Sequence, residues 1–534
     1  MSYLKNAFAV TPQKPNTPVT VRTASNQVVN NDSGFVYKVS DRDRLLRFLV
    51  LGSEGGTYYV KEQKLTEENA QSIKAMILAD GASVVQAVVE ISKAGRAPKN
   101  DPALFVLAMC AAFGDITTRQ MALSVLPQVA RIGTHLFHFV DYLDSMGGWG
   151  RAKRTAVGAW YTEKDPKDLA FQIVKYGQRD GWSHADILRK AHPKIGPGAL
   201  NDLLKYAVDG WPGVGELPHS DEALAIVWAA ERVKVCEEAE AIRLIQQYRL
   251  PMEVVPTEKR TKAVYECLLP HAPITWLIRN LGTLSKIGVI AEGQYSNLNA
   301  VCAKITDVDV LAKGRVHPLS VLVAHNTYKG GRGIRGSSEW PVIQKVIDAL
   351  DAAFELAFEA IEPTHARFVL GLDVSASMNS GAIAGMIGIT PRIGTAAMAL
   401  VTARTEKNVA SMAFSSGFVP FPIGAHETLN SVIMRMNAMP FDSTDCSLPM
   451  LWAMQHRIEA DAFVVYTDSE TNSGVHPMQA LRDYRQAMGI PAKLVVVGMT
   501  ATGFTIADPN DGGSMDVVGF DTSAPAVISQ FATP

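Results

Sequence analysis

The chain has 534 residues, of which 47% are hydrophobic, and its formal net charge is -2. This length predicts two or more domains with sizeable cores. The near-zero charge excludes a chain that is basic throughout, so any nucleic-acid-binding surface must be a local cluster of basic residues. The five cysteines are scattered and form no C-x-x-C pair, which argues against a disulfide framework and a zinc knuckle.

The N-terminus and the absence of common catalytic motifs narrow the class of protein further. Residues 1–31 are polar and contain no apolar signal core, and no run approaches the roughly 18 apolar residues of a membrane span. We therefore expect a cytoplasmic protein that does not enter a membrane. The sequence contains no P-loop, no G-x-S-x-G nucleophile elbow and no H-E-x-x-H motif, so we expect no enzymatic activity.

Helical periodicity dominates the first two thirds of the chain. Thr66 is expected to open one helix, with Ile73 and Ile77 at helical spacing and Gly81 closing it. Chain breakers keep the later elements to about ten to fifteen residues. Short helices in series predict an α-solenoid of stacked helix pairs, although no tight sequence repeat establishes one.

A basic helix is predicted to follow the glycine-rich residues 147–150. At 3.6 residues per turn, Arg151, Arg154 and Tyr161 share one face, and Lys153 lies between the two arginines. Arginines beside a tyrosine suit phosphate pairing and base stacking. A solvated basic face explains the same pattern equally well.

The next segment, 175–192, contains a second group of basic residues. Ser183 and Asp186 predict a capping box, which places His184 in the first turn of a helix, beside free backbone N–H groups. This arrangement predicts an anion site, while a capping or packing role for His184 remains open. The basic residues expected near the site are Lys175, Arg179, Arg189, Lys190 and His192.

The pattern changes after residue 364. Strand-like runs at 368–372, 409–414, 462–467 and 492–497 alternate with helical segments near 395–405, 448–458 and 477–488. Alternating strands and helices predict a mostly parallel, open sheet covered on both faces. We therefore predict a multidomain protein, with an α-helical domain over residues 1–364 and an α/β domain over residues 365–534.

A candidate metal site begins at the end of the first of these strands. Asp373, Ser375 and Ser377 form a D-x-S-x-S cluster, and Thr444 and Asp468 follow in order along the chain. Carboxylate and hydroxyl oxygens are the ligands that Mg²⁺ prefers. The order resembles the metal-ion-dependent adhesion site of von Willebrand factor A domains, in which the ligands gather at the carboxyl ends of the strands. The alternative is a serine-rich loop that binds no metal.

Segments along nearly the whole chain resemble the Ro ribonucleoprotein autoantigen family, which combines a TROVE module with a von Willebrand factor A domain. The matching segments are 134–137 (Thr-His-Leu-Phe), 148–152 (Gly-Trp-Gly-Arg-Ala), 180–184 (Asp-Gly-Trp-Ser-His), 279–282 (Arg-Asn-Leu-Gly), 444–449 (Thr-Asp-Cys-Ser-Leu-Pro) and 503–509 (Gly-Phe-Thr-Ile-Ala-Asp-Pro). The resemblance implies a monomeric ring of HEAT-like helical repeats over 1–364, closed by a von Willebrand factor A domain with one divalent cation over 365–534. The simple, short termini favour a bacterial member.

The resemblance also implies a function. Members of this family bind Y RNA on a basic outer surface and take single-stranded 3′ ends of misfolded noncoding RNA into a central hole. They act as non-catalytic scaffolds in RNA quality control, RNA degradation and stress response, and bacterial members work with exoribonucleases such as polynucleotide phosphorylase. The RNA surface maps onto residues 148–154 and 175–189, and Thr134 and His135 are expected to line the ring, unless they belong to a packed apolar helix.

One departure from the family pattern concerns the metal loop. Asp442 and Ser443 stand where the family commonly has glycines before Thr444, so the loop conformation and its charge differ, and we assign Asp442 no role. Two other functions stay open. The first is a protein-interaction scaffold that uses the metal site without RNA. The second is a metal-dependent phosphohydrolase using Asp373, which the lack of a positioned general base or second carboxylate cluster argues against.

Overall fold

The computed structural model describes residues 17–54, 56–57, 60–210, 221–293, 295–333, 337–358, 363–424, 426–440 and 442–533. Residues 1–16 of the polar N-terminus and residues 359–362 beside the predicted domain boundary lie outside this set. The chain divides into two units. One is a helical unit, Ala70–Phe358, and the other combines the described residues up to Asn69 with those from 363 onwards.

The N-terminal segment contains a β-hairpin and two helices. Strands β1 and β2 pair in antiparallel register, with Val28 opposite Val36, and β2 also pairs with Phe504–Thr505. Ser40 caps the first helix by accepting a hydrogen bond from the backbone N–H of Asp43. The elements are β1 (Gln27–Val29), β2 (Phe35–Lys38), α1 (Asp41–Leu51) and α2 (Glu62–Ala94).

Helix α2 is longer than the sequence predicted. It begins at Glu62 rather than Thr66, and Gly81 does not end it; the backbone instead kinks at Asp80, with φ -151° and ψ 76°. A Cβ at Gly81 would overlap the side chain of Thr118, so the glycine serves close packing. By length and composition alone this helix could cross a membrane, but a single such helix is weak evidence, and its residues Val84, Val88 and Ile91 are buried.

The helical unit consists of short helices that pack against neighbours along the chain, as the solenoid pattern predicted. Three packed pairs are Asp101–Phe113 with Gly133–Ser145, Pro166–Lys175 with Glu222–Val235, and Pro318–Lys329 with Gln344–Leu356. A two-stranded hairpin, β3 (Gln178–Arg179) and β4 (Trp182–Ser183), is inserted among them. The helices are α3 (Asp101–Phe113), α4 (Ile116–Ser124), α5 (Leu126–Val129), α6 (Gly133–Ser145), α7 (Arg151–Thr162), α8 (Pro166–Lys175), α9 (His184–Ala191), α10 (Ala199–Asp209), α11 (Glu222–Val235), α12 (Glu238–Tyr248), α13 (Lys262–Leu268), α14 (Ile274–Lys286), α15 (Tyr295–Ile305), α16 (Val308–Lys313), α17 (Pro318–Lys329) and α18 (Gln344–Leu356).

The helical unit closes on itself. Arg315, near the end of the unit, donates from Nε to the backbone oxygen of Lys93 at 3.0 Å. His317 Nε2 lies 3.1 Å from the backbone oxygen of Arg96. More than 200 residues separate the partners in each contact, so the first and last parts of the array meet. This closure agrees with the predicted helical ring.

The second unit is built on a six-stranded sheet in the order β11-β9-β8-β5-β6-β7. The strands are parallel except β7, which runs antiparallel to β6. Nearly every residue of β5, β8 and β9 is buried, as expected for strands covered on both faces. The elements are β5 (Arg367–Asp373), α19 (Pro391–Thr405), β6 (Asn408–Phe414), β7 (Phe418–Pro420), α20 (Leu429–Asn437), α21 (Leu448–Gln455), β8 (Ala462–Thr467), α22 (Pro477–Met488), β9 (Lys493–Gly498), β10 (Phe504–Thr505), β11 (Ser514–Val518) and α23 (Ala524–Ala532).

Residues 17–69, which include β1, β2 and α1, are part of this α/β unit rather than of the helical unit. Besides the pairing of β2 with β10, Arg47 of α1 forms a buried ion pair with Asp516 of β11, with 2.5 Å between Nη2 and Oδ2. Arg47 Nη1 also donates to the backbone oxygens of Thr502 and Phe504, each at 3.0 Å. The predicted domain boundary at residue 364 assigned residues 17–69 to the helical domain. The pairing of β2 with β10 joins segments far apart in the chain, and such a pairing leaves no local signal in the sequence.

We predict that Arg47→Ala lowers the free energy of unfolding of the α/β unit by about 3–5 kcal/mol, because it leaves the Asp516 carboxylate buried without its partner. Urea unfolding followed by tryptophan fluorescence measures the change. Arg42→Ala is the matched control, since Arg42 is exposed on the same helix. Equal midpoints for the two variants would contradict the prediction.

Candidate metal centre and nucleic-acid interface

The carboxyl ends of β5 and β8 bring two carboxylates to one edge of the sheet. Asp373 is the last residue of β5, and Asp468 follows the last residue of β8. The two strands are adjacent and parallel, with Leu372 opposite Tyr466. Both aspartates are buried. The predicted pair of acidic ligands is therefore placed together by the register of two neighbouring strands.

Hydroxyl groups surround these carboxylates. Asp373 Oδ1 accepts from the backbone N–H of Ser375 at 2.9 Å, and Oδ2 accepts from Thr467 Oγ1 at 2.6 Å. Ser375 Oγ and Ser377 Oγ lie 3.1 Å apart, and the Ser377 hydroxyl acts to lower the pKa of Asp468, against the larger raising effect of burial. The D-x-S-x-S cluster and Asp468 thus form one connected group.

Hydrogen bonds of its backbone hold Thr444 against the loop that follows Asp468. Its backbone oxygen accepts hydrogen bonds from Thr471 Oγ1 at 3.1 Å and from the N–H groups of Asn472 at 3.0 Å and Ser473 at 3.1 Å. Its own N–H donates to Asn472 Oδ1 at 2.9 Å. Asp442, in contrast, is exposed and contacts Ser443, which agrees with leaving it out of the ligand set.

The donor set fits a hard divalent cation. Burial raises the pKa of Asp373, and burial, Asp373 and Glu470 raise the pKa of Asp468 well above its ordinary value. Holding two carboxylates together in a buried site is costly unless a positive charge offsets them. Among the described residues, no three His, Cys, Asp or Glu side chains are grouped to hold a metal. Hydroxyl and carboxylate oxygens alone favour Mg²⁺ over transition metals.

The N-terminal β-hairpin braces the loop of this centre, a contact that the motif analysis missed. Asn30 Nδ2 donates to the backbone oxygens of Ser469 at 3.2 Å and Thr471 at 2.9 Å. Asn31 binds both carboxylate oxygens of Glu470, through its N–H at 2.8 Å and its side chain at 2.6 Å. The Asn-Asn-Asp-Ser-Gly turn at 30–34 was the available signal, but the turn does not reveal which loop it contacts.

The candidate nucleic-acid surface lies in the helical unit. Helix α7 begins after Gly150, and within the described residues no side chain caps this end. Its first turn contains Arg151, Lys153 and Arg154, and both arginines are exposed. Basic residues at the positive end of a helix dipole are unfavourable unless an anion is bound there. This end of α7 therefore favours a phosphate.

The structure does not support the anion site that was expected at His184. The capping box is present, but the Asp186 carboxylate accepts the Ser183 N–H at 3.0 Å, so a carboxylate already occupies this helix end. His184 is buried beside Phe137, with Nδ1 2.9 Å from the hydroxyl of Tyr161. Burial lowers the pKa of His184 to about 4. We therefore assign His184 to packing, and the buried Tyr161 cannot stack on a base.

The remaining basic residues fall into two groups. Arg179, Arg189 and His192 are exposed, as a phosphate-binding surface requires. Lys153 donates to the backbone oxygens of residues 147 and 148, each at 3.1 Å. Two other lysines are likewise held by local contacts: Lys175 lies over the rings of Phe171 and Tyr176, and Lys190 donates to Asp144.

Thr134 and His135 lie in the first turn of α6 and are half-buried. His135 Nδ1 is 3.3 Å from Asn100 Nδ2. Burial and the neighbouring Arg131 charge lower the pKa of His135 to about 3, so the ring is neutral. These contacts favour the packed-helix alternative for His135 over a charged lining of the ring.

Comparison with known proteins gives matches over almost the entire chain. The TROVE domain family matches residues 28–210 and 251–330, and the Ro60 vWA domain family matches residues 367–532. The RNA-binding protein RO60 of Deinococcus radiodurans is 45% identical over 521 residues, covering 97% of each chain. RO60 of Caenorhabditis elegans is 34% identical, covering 96% of this chain and 91% of its own. The crystal structure of the Deinococcus radiodurans RO protein aligns with a TM-score of 0.71 at 43% identity, covering 92% of this chain and 99% of that one.

We predict that Gly34→Ala destabilises the hairpin contact with the metal loop, because a Cβ at this position would overlap the backbone oxygen of Thr471. Relieving such an overlap costs about 1–3 kcal/mol, measurable as a lower thermal unfolding midpoint. Gly417→Ala is the matched control in the same unit, because in the described part of the chain no atom lies within 4 Å of its Cβ position. A midpoint as high as that of the control would count against the contact.

Proposed function

Because the chain belongs to the Ro family of RNA-binding proteins, we propose that its helical unit binds two kinds of noncoding RNA. A Y RNA would lie on the basic surface formed by α7 and the segment 175–192. The single-stranded 3′ end of a misfolded noncoding RNA would enter the opening of the closed helical array. The relatives from Deinococcus radiodurans and Caenorhabditis elegans are RNA-binding proteins, which supports RNA binding as such, and the two RNA classes are our extension of it.

The observation that carries this proposal is the uncapped start of α7. Arg151 and Arg154 are exposed there, and in the first turn no acidic residue is present to offset the dipole. Guanidinium groups and free backbone N–H groups at one position form a strong phosphate site. Arg179 and Arg189 extend the positive charge along the neighbouring segment. Since these contacts reach phosphates, they provide affinity with little sequence preference.

We propose that the α/β unit holds one Mg²⁺ through Asp373, Ser375, Ser377, Thr444 and Asp468, directly or through water. The bound ion would supply a Lewis-acidic docking point for a carboxylate of a partner protein. The residues of this chain would position that point: the aspartates provide charge, and the hydroxyls orient them.

In the cell this protein would act in RNA quality control, degradation and stress response as a cytoplasmic, monomeric scaffold. A bound Y RNA would connect it to an exoribonuclease such as polynucleotide phosphorylase. The Y RNA would contact the helical unit, and the carboxylate of a partner protein would contact the proposed metal site of the α/β unit, so the two would use different surfaces of the chain. The scaffold would therefore bring an RNA substrate and a processing enzyme together.

For RNA, we predict that the double change Arg151→Ala and Arg154→Ala weakens binding and flattens its salt dependence. Each lost phosphate contact should reduce the slope of log affinity against log salt by about 0.7–0.9. Gel shifts across a salt series with a hairpin RNA carrying a single-stranded 3′ tail measure both quantities. A double change of the exposed Arg243 and Lys313 controls for charge alone. If the wild-type chain binds no RNA at moderate salt, a protein-interaction scaffold replaces this proposal.

For the metal, we predict that Asp373→Asn abolishes Mg²⁺ binding and leaves RNA affinity unchanged, because the two sites use different units of the chain. Isothermal titration with Mg²⁺ measures the first effect and a gel shift the second. Asp442→Asn, which alters the exposed carboxylate beside the same loop, should retain Mg²⁺ binding. Equal losses in both variants, or undiminished binding by Asp373→Asn, would refute the assigned ligand set.

A further inference from the structure

Trp149 occupies an open position in the loop between α6 and α7. Its side chain is half-exposed, and it is flanked by Gly147, Gly148 and Gly150. In the part of the chain that the structure describes, no atom lies within 4 Å of the Cβ position of any of these glycines. Large aromatic rings in such surroundings are typical of binding surfaces, because they combine an apolar body with a polar edge.

Several contacts hold the Trp149 indole in place. Its Nε1 donates to Asp144 Oδ1 at 2.5 Å, and Lys190 Nζ donates to the same oxygen at 2.5 Å. The Lys190 ammonium also lies 4.9 Å from the centre of the indole ring. Lys153 fixes the backbone of residues 147–148 from the other side. Because the ring is already ordered, a ligand that contacts it loses little further conformational entropy.

A second tryptophan shares the same ammonium. Trp182, also half-exposed, lies 4.7 Å from Lys190 Nζ and donates from Nε1 to Asp141 Oδ1 at 3.1 Å. One neutralised lysine therefore contacts two partly exposed indoles. An exposed arginine lies near each in sequence, Arg151 two residues after Trp149 and Arg179 three residues before Trp182. A surface that only neutralised the phosphates of a duplex would not need these rings. Aromatic rings flanked by arginines are how proteins bind unpaired bases.

We infer that Trp149 is a stacking surface for an unpaired nucleobase of the bound RNA. Arg151 and Arg154, two and five residues further along, neutralise the adjoining phosphates. The inference rests on the proposed RNA binding and adds to it the class of nucleotide that this surface takes: a single-stranded or bulged residue rather than a base pair. Base identity matters little, because every base presents a π face.

The test compares Trp149→Ala with the wild-type chain on two RNAs, a two-stranded duplex with a single-stranded 3′ tail and the same duplex with blunt ends, each across a salt series. Losing one stacked base should weaken binding of the tailed RNA about fivefold or more. The affinity for the blunt duplex should not change, because it offers no unpaired base, and the salt slope should not change, because stacking involves no counterion release. Trp149→Phe should retain most of the affinity, since a phenyl ring still stacks. Tyr295→Ala, which removes a 65% exposed aromatic side chain of the same unit, should have no effect.

The outcomes separate this inference from the proposal on which it rests. Unchanged affinity of Trp149→Ala for the tailed RNA, an equal loss on both RNAs, or a reduced salt slope would overturn the stacking role. Failure of the wild-type chain to bind either RNA would instead overturn RNA binding itself. A circular dichroism melt of each variant, and the behaviour of Trp149→Phe, identify a loss that comes from misfolding.

Discussion

Arg47 and Asp516 form an ion pair whose side chains are almost fully buried, although 469 residues separate them in the chain. A buried pair of this kind is retained only when further hydrogen bonds satisfy its polar atoms, and two backbone oxygens do so for Arg47. The pair fixes α1 in the α/β unit, and the β1–β2 hairpin is fixed there by its pairing with β10. The hairpin in turn supports the loop after Asp468, so the metal centre depends on residues from both ends of the chain.

The two candidate sites differ in the sign of their charge and in their exposure to water. At the metal centre, β5 and β8 gather acidic groups where water is excluded, and the raised pKa of Asp373 and Asp468 reflects the cost of that burial. At the start of α7, positive side chains remain in water, and the backbone adds positive potential to theirs. The oxygen donors of the first arrangement suit a compact cation, whereas the exposed positive charge of the second suits a polyanion.

Much of this organisation could be predicted from the sequence because it is local. The apolar runs of β5 and β8 and the residues that follow them predicted that Asp373 and Asp468 lie at one edge of the sheet, as they do, and the Ser183–Asp186 capping box formed as expected. Local sequence patterns did not predict features that depend on packing between segments distant in the chain. A capping box locates His184 along a helix but does not reveal that Phe137 and Tyr161 cover its ring. The domain boundary shows the same limit: the TROVE match begins at residue 28, yet the contacts of residues 17–69 lie with the α/β unit.

The discontinuous α/β unit has a consequence for the order in which the chain folds during synthesis. Strand β2 and Arg47 leave the ribosome early, but β10 and Asp516 are made only after the entire helical unit. At typical synthesis rates of about 5–20 residues per second, the N-terminal hairpin waits roughly 20–90 s for its partner strand. The helical unit, whose neighbouring helices form contacts close in sequence, can fold within that interval. During that interval the edge of β2 that later pairs with β10 is unpaired, and unpaired strand edges are prone to associate with other chains.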